Sequence, residues 1–127
     1  MSNHLNVSVV GTGYWGKHYV RILGPQCKLA VDPSEAAREK MVSLHPDLIT
    51  SGKVEDAANN DDIQAWIVCT PAASHYNVVK AGLLAGKHVL VEKPLTLNVD
   101  HAKELISIAK ENQLILMVGH TFLFNSR

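Results

Sequence analysis

Four short segments hold the residues whose types and spacing can do chemistry. The first is Gly11-Thr12-Gly13-Tyr14-Trp15-Gly16, a G-x-G-x-x-G. In this pattern the first glycine permits a tight turn, the second lets main chain approach a pyrophosphate, and the third lets a helix pack closely on a strand. A Val-rich run precedes it and a helical stretch follows. A helix opening there points free N–H groups and its positive dipole end at an anion, which is what dinucleotide binding requires. Asp32 comes twenty-one residues after Gly11, where a carboxylate accepts hydrogen bonds from adenosine ribose hydroxyls. It would repel a 2′-phosphate, so NAD is expected ahead of NADP, with Arg38 as the nearby cation that could answer such a phosphate. Asp32 also reads as the N-cap of a helix opening at Pro33, and the two roles are compatible.

A rival motif overlaps the first. Gly11, Gly16 and Lys17 fit G-x-x-x-x-G-K, the phosphate cradle of nucleoside triphosphatases. His18 stands where that cradle needs Ser or Thr for Mg²⁺, and Cys69-Thr70 stands where a metal-holding Asp would end the fourth strand. Triphosphate hydrolysis is therefore not expected.

The elements that must position these residues alternate short β-branched runs with helical stretches, the pattern of βαβ units and a parallel sheet. Strands are predicted at Leu5 to Val10, Lys28 to Val31, Leu48 to Thr50, Ala65 to Cys69, His88 to Val91 and Leu114 to Val118. Helices are predicted at Tyr14 to Leu23, Pro33 to Leu44, Val54 to Asn59, Ala73 to Ala85 and Val99 to Glu111, the last with Asn98 as N-cap. Six strands and five helices make an α/β, doubly wound, six-stranded parallel sheet: a Rossmann fold in one three-layer αβα domain. In such a sheet, ligands sit outside the carboxyl ends of the strands. That directs attention to the three remaining segments: Thr70-Pro71-Ala72-Ala73-Ser74-His75, Glu92-Lys93-Pro94 and Gly119-His120-Thr121-Phe122.

Bulk composition excludes several classes. A chain of 127 residues fits one domain, and 46% hydrophobic against 19% charged residues is enough apolar matter for a core. Twelve Lys+Arg balance twelve Asp+Glu, leaving no basic field for nucleic acid or a membrane surface. Cys27 and Cys69 read as packed, reduced thiols, which suits a cytoplasmic setting. Neither a leader pattern nor a long apolar run is evident. The seven histidines have no zinc spacing, so no metal is expected.

In this order, the four motifs resemble the glucose-fructose oxidoreductase, inositol dehydrogenase and MocA (Gfo/Idh/MocA) family of NAD(P)-dependent sugar dehydrogenases, over essentially the whole chain. The resemblance implies that Lys93 is the catalytic lysine beside the nicotinamide. An ammonium there can polarise or help deprotonate a sugar hydroxyl while hydride leaves the same carbon. It implies that Pro94 follows a cis peptide bond that fixes the direction of Lys93. Thr70, Pro71 and His75 would line the ribose and nicotinamide side, and Glu92 would contact the nicotinamide ribose region. Thr12, Tyr14 and Trp15 join the three glycines, Asp32, Lys93 and Pro94 in the cofactor-binding set. His120 belongs to that set too, not to the catalytic one, in a segment resembling members that oxidise nucleotide-linked sugars at C3. The substrate implied is a sugar or nucleotide-sugar.

Family members continue into a second domain that supplies an Asp-x-x-x-His pair with no counterpart in these 127 residues. The expectation is therefore a dinucleotide-binding domain, residues 1–127, weak or inactive by itself. The alternative is a non-catalytic dinucleotide-binding or sensing module. Leu114 to Val118 and Phe122 to Phe124 form an apolar run expected to drive homo-oligomer formation.

Overall fold

Val-Ser-Val-Val at Val7–Val10, strand β1, is buried at every position, as a strand covered on both faces must be. The computed structural model describes residues 5–119, and β1 is the centre of its sheet. Around it stand β2 (Cys27–Val31), β3 (Thr50–Ser51), β4 (Ala65–Val68), β5 (His88–Glu92) and β6 (Leu116–Gly119), in the order β3-β2-β1-β4-β5-β6. Every neighbouring pair is parallel. The helices are α1 (Tyr14–Leu23), α2 (Glu35–Leu44), α3 (Val54–Ala58), α4 (His75–Leu84) and α5 (Val99–Glu111).

The twofold period of the strands splits the core between the two faces of the sheet. Val9 packs with Val20 of α1 and Met41 of α2 on one side. Val10 packs on the other with Ala57 of α3, Val79 and Leu83 of α4, and Leu105 and Ala109 of α5. The result is the predicted doubly wound, three-layer sandwich. The strand order runs outward one way from β1 through β2 and β3 and the other way from β4 through β5 and β6, which makes the carboxyl ends of β1 and β4 the switch point.

Several boundaries depart from the sequence reading. Leu5 and Asn6 precede β1, and β2 starts one residue early at Cys27. α2 opens at Glu35, not Pro33, because Ser34 is its cap: the Ser34 hydroxyl accepts from the Ala37 N–H at 3.1 Å. α4 is entered through a 3₁₀ turn at Ala72–Ser74. β6 lies two residues late because Leu114 is spent closing α5, its N–H donating to Ala109 O at 2.8 Å, after Gln113 takes φ 58°. Asn98 caps α5 as predicted, accepting from the His101 N–H. β6 is an edge strand, with Ile115 beside it 60% and Met117 within it 59% exposed. Phe122 to Phe124 and His120 lie outside the described residues. Among the described residues no helix is long and apolar enough to cross a membrane.

Candidate functional site

The register of the sheet assembles the site. Val10 stands opposite Val31 and Val68, Val68 opposite Val91, and Val91 opposite Val118. The residues that follow, Gly11, Asp32, Cys69, Glu92 and Gly119, therefore form one row along the carboxyl edge, where four sequence-distant motifs meet.

The phosphate loop is shaped by steric need at two glycines. Gly11 has φ +94°, and a Cβ there would lie 2.8 Å from the Cys69 carbonyl carbon and 2.9 Å from Thr70 N. The loop thus abuts the turn after β4. A Cβ on Gly16 would lie 1.9 Å from Gly11 O, so α1 is seated directly on the loop. Gly13 is different: its φ of −71° is ordinary, and nothing lies within 4 Å of where its Cβ would stand. It is the N-cap of α1, with no side-chain cap and no acidic residue in the first turn. A helix mouth left open over a position without a side chain fits a pyrophosphate, which is the cofactor group that the motif implies. Tyr14 and Trp15 meet edge to face with ring centroids 4.9 Å apart, and His18 packs against both.

Asp32 latches this loop to the turn after β2. Its Oδ2 accepts from both the main-chain N–H and the hydroxyl of Thr12 at 2.9 Å, and its Oδ1 accepts from the Ser34 N–H at 2.9 Å. The N-cap reading of Asp32 is thus corrected: Ser34 caps α2, and Asp32 holds Ser34 through its main chain. The Arg38 guanidinium donates to Asp32 O at 2.7 Å and lies against Gly52, so a cation does stand beside the carboxylate's turn. The half-buried Asp32 carboxylate sits just past β2, beside the loop.

On the far side of the row, Glu92 Oε2 accepts from the Tyr19 hydroxyl at 2.9 Å. Tyr19 lies on α1, and no local motif marks it. Burial, then the hydrogen bond and charge of Glu92, pushes the Tyr19 phenol well above its ordinary range. The Cys69 thiol is pushed up to about 12, first by burial and then by the negative charge of Glu92. Both groups stay protonated across the neutral range. The Lys93–Pro94 peptide is cis, the Lys93 N–H donates to Gly119 O at 3.2 Å, and Lys93 is exposed.

Thr70 and Pro71 occupy the turn between β4 and α4, where Pro71 O accepts from the Ser74 N–H and hydroxyl. Thr70 Oγ1 is buried with no hydrogen-bond partner among the described residues. His75 is enclosed by protein. It is 2% exposed, with Nε2 at 2.8 Å from Thr70 O and Nδ1 at 2.6 Å from Pro94 O, so both ring nitrogens face main chain. Its expected place against the cofactor gives way to a place between two turns, because each nitrogen already has an oxygen.

The comparisons with known proteins agree with this geometry. Residues 5–120 match the model of the GFO_IDH_MocA oxidoreductase family, described as an NAD-binding Rossmann fold. The chain is 32% identical over 127 residues to an uncharacterized oxidoreductase of Synechocystis, covering 97% of this chain and 34% of that protein. It is 30% identical over 117 residues to the UDP-N-acetylglucosamine 3-dehydrogenase of Acidithiobacillus ferrooxidans, covering 92% of this chain and 37% of the relative. The crystal structure of GenD2 from gentamicin A biosynthesis, in complex with NAD, superposes with a TM-score of 0.85 at 31% identity, covering 94% of this chain and 35% of that one. The chain spans about a third of the length of the curated relatives it matches. With the strand order, the glycine loop and the Glu-Lys-Pro turn all in place, the chain belongs to the Gfo/Idh/MocA oxidoreductase family and has its NAD-binding Rossmann fold.

Proposed function

We propose that this chain binds NAD in preference to NADP and serves a dehydrogenase or reductase acting on a CH–OH carbon of a sugar or nucleotide-sugar. The observation that carries the reading is the row itself: Gly11, Asp32, Cys69 and Glu92 stand side by side although as many as 81 positions separate them. Gly11, Thr12, Gly13 and the mouth of α1 would hold the pyrophosphate, with Tyr14, Trp15 and Gly16 forming the first turn behind it. Asp32 would meet the adenosine ribose, while Thr70, Pro71, Glu92 and Pro94 frame the nicotinamide side. NAD, when bound, supplies a hydride acceptor at its nicotinamide. Lys93 is the proposed catalytic residue, passing a proton to or from the sugar hydroxyl oxygen. The substrate class is supported by the UDP-sugar dehydrogenase among the relatives. Self-association through the exposed edge at Ile115 and Met117 belongs to the same proposal; a monomer by light scattering at tens of micromolar overturns that part.

Calorimetric titration with NAD⁺ and NADP⁺ tests the cofactor reading. A 2′-phosphate brought beside the Asp32 carboxylate costs about 1–3 kcal/mol at surface-like screening, so NAD⁺ should bind roughly 10–100-fold tighter. Asp32→Asn, which removes the charge and keeps an acceptor, should narrow that ratio. No binding of either cofactor at millimolar concentration would refute the reading. Sugar-dependent NAD reduction, assayed with UDP-sugars, separates turnover from binding alone. Lys93→Ala should cost far more in rate, about 10²–10⁴, than in cofactor affinity.

A further inference from the structure

We propose that His75 is a positioning residue that joins the turn after β4 to the Lys93-Pro94 turn, so that the two move as one wall of the nicotinamide side. The inference rests on the dinucleotide reading above and adds a residue to it. The β4 and β5 ladder ends with Val68 opposite Val91. The ladder stops at that pair, and past it the His75 ring stands between the two continuing chains, 2.8 Å from Thr70 O and 2.6 Å from Pro94 O. Those oxygens are five residues behind His75 and nineteen ahead of it.

The hydrogen-bonding arithmetic makes the ring specific to this task. Carbonyl oxygens only accept, so each contact is a hydrogen bond when the facing nitrogen carries a proton; a neutral ring satisfies one and a cationic ring both. Other side chains of similar size cannot set a nitrogen against each of two oxygens from opposite edges of a rigid plane. Each turn that His75 grips is tied in turn to another part of the site. Thr70 abuts Gly11 of the phosphate loop, with its N only 2.9 Å from where a Gly11 Cβ would stand. Pro94 follows Lys93, whose N–H is held by Gly119 O. His75 therefore links the pyrophosphate end of the crevice to the lysine end without touching the Asp32 and Thr12 latch.

The test compares two ligands on the full chain and three variants. ADP carries the adenosine and pyrophosphate alone, whereas NAD⁺ adds the nicotinamide riboside. In His75→Leu the ADP affinity should stay within about twofold while NAD⁺ affinity falls by roughly tenfold, the worth of one or two hydrogen bonds. His75→Asn can present a donor near the Nδ1 position and His75→Gln near the Nε2 position. Each should recover part of the NAD⁺ affinity, and both decide the question if the leucine variant fails to fold. Equal loss of ADP and NAD⁺ affinity across the variants would show a merely structural role and overturn the proposal, as would wild-type NAD⁺ affinity in a folded leucine variant. A wild-type chain that binds ADP but gains nothing from the nicotinamide riboside also overturns it. A wild-type chain that binds neither ligand refutes the dinucleotide reading itself.

Discussion

Gly13→Ala separates the steric work of the phosphate loop from its binding work. An alanine Cβ there meets no atom within 4 Å, and φ −71° is open to any residue. Removing a glycine from the unfolded chain contributes about 0.4–1 kcal/mol of stability. Alanine is a poorer N-cap than glycine by a similar amount, about 0.5–1 kcal/mol, so the two effects oppose and Tm should stay within a few degrees. Binding should behave differently, because the added methyl stands at the mouth of α1 where the main chain would approach a pyrophosphate. Losing one charge-assisted hydrogen bond, about 1.5–3 kcal/mol, corresponds to roughly 10–100-fold in NAD⁺ affinity. Gly16→Ala is the contrast: its Cβ would fall 1.9 Å from Gly11 O, so main chain must move, at about 1–3 kcal/mol or more and several degrees of Tm. Thermal melts and calorimetric titration of both variants make the comparison. A Gly13→Ala chain that melts like the parent and binds NAD⁺ within about twofold would refute the assignment of the pyrophosphate to this loop.

Three other outcomes follow from the packing. Cys69, held near pKa 12 from an ordinary 9.0, should react with iodoacetamide at pH 8 about a thousandfold more slowly than a free thiol; parity with a free thiol would contradict its placement. Because folding keeps protons on Cys69 and Tyr19 that the unfolded chain releases, stability should be full below about pH 9 and fall as pH rises from there toward 12. Glu92→Gln should lessen that fall in urea midpoints taken from pH 8 to 10.5, and an unchanged slope would exclude Glu92 as a cause. Lys87 is buried, with its ammonium donating to Asn60 O and Ile63 O at 2.8 Å each. Lys87→Met leaves both carbonyls without a donor and should cost about 1–3 kcal/mol in urea unfolding, whereas no loss would mean the carbonyls find other donors.

What the sequence made legible is what depends on near neighbours. The glycine loop, Asp32 and the alternation of strands and helices are read from residues within a turn or two of one another. Parallel pairing then places their ends in register without further information. The Asn98 cap was readable for the same reason. Ser34 was not, although it too is local, because Pro33 is well suited to a first turn and Asp32 to a cap, and the choice was settled by distant Thr12, which engages the Asp32 carboxylate and leaves Ser34 as the cap. The register of β6 likewise turned on the Gln113 backbone and not on hydrophobic pattern, since Leu114 and Ile115 look as strand-like as their successors.

The contacts that escaped the sequence share a cause: each pairs a side chain with an atom far along the chain. Tyr19 reaches Glu92 across 73 positions, and Gly82 lets α4 lie on the Trp66 ring, 2.8 Å from where a Cβ would be. His75 escaped in a subtler way, because its position after Thr70-Pro71 drew the right attention to the wrong partner. A histidine near a cofactor crevice invites a role on the ligand, but burial assigns its nitrogens to whichever acceptors remain unsatisfied, and here those are two carbonyls beyond the end of a ladder. The same reasoning explains why Lys93 can remain exposed while standing among fixed groups. Its main chain is held by Gly119 and, next to it, Pro94 O faces the His75 ring, so the turn would supply the positional precision that the proposed proton transfer at Lys93 requires.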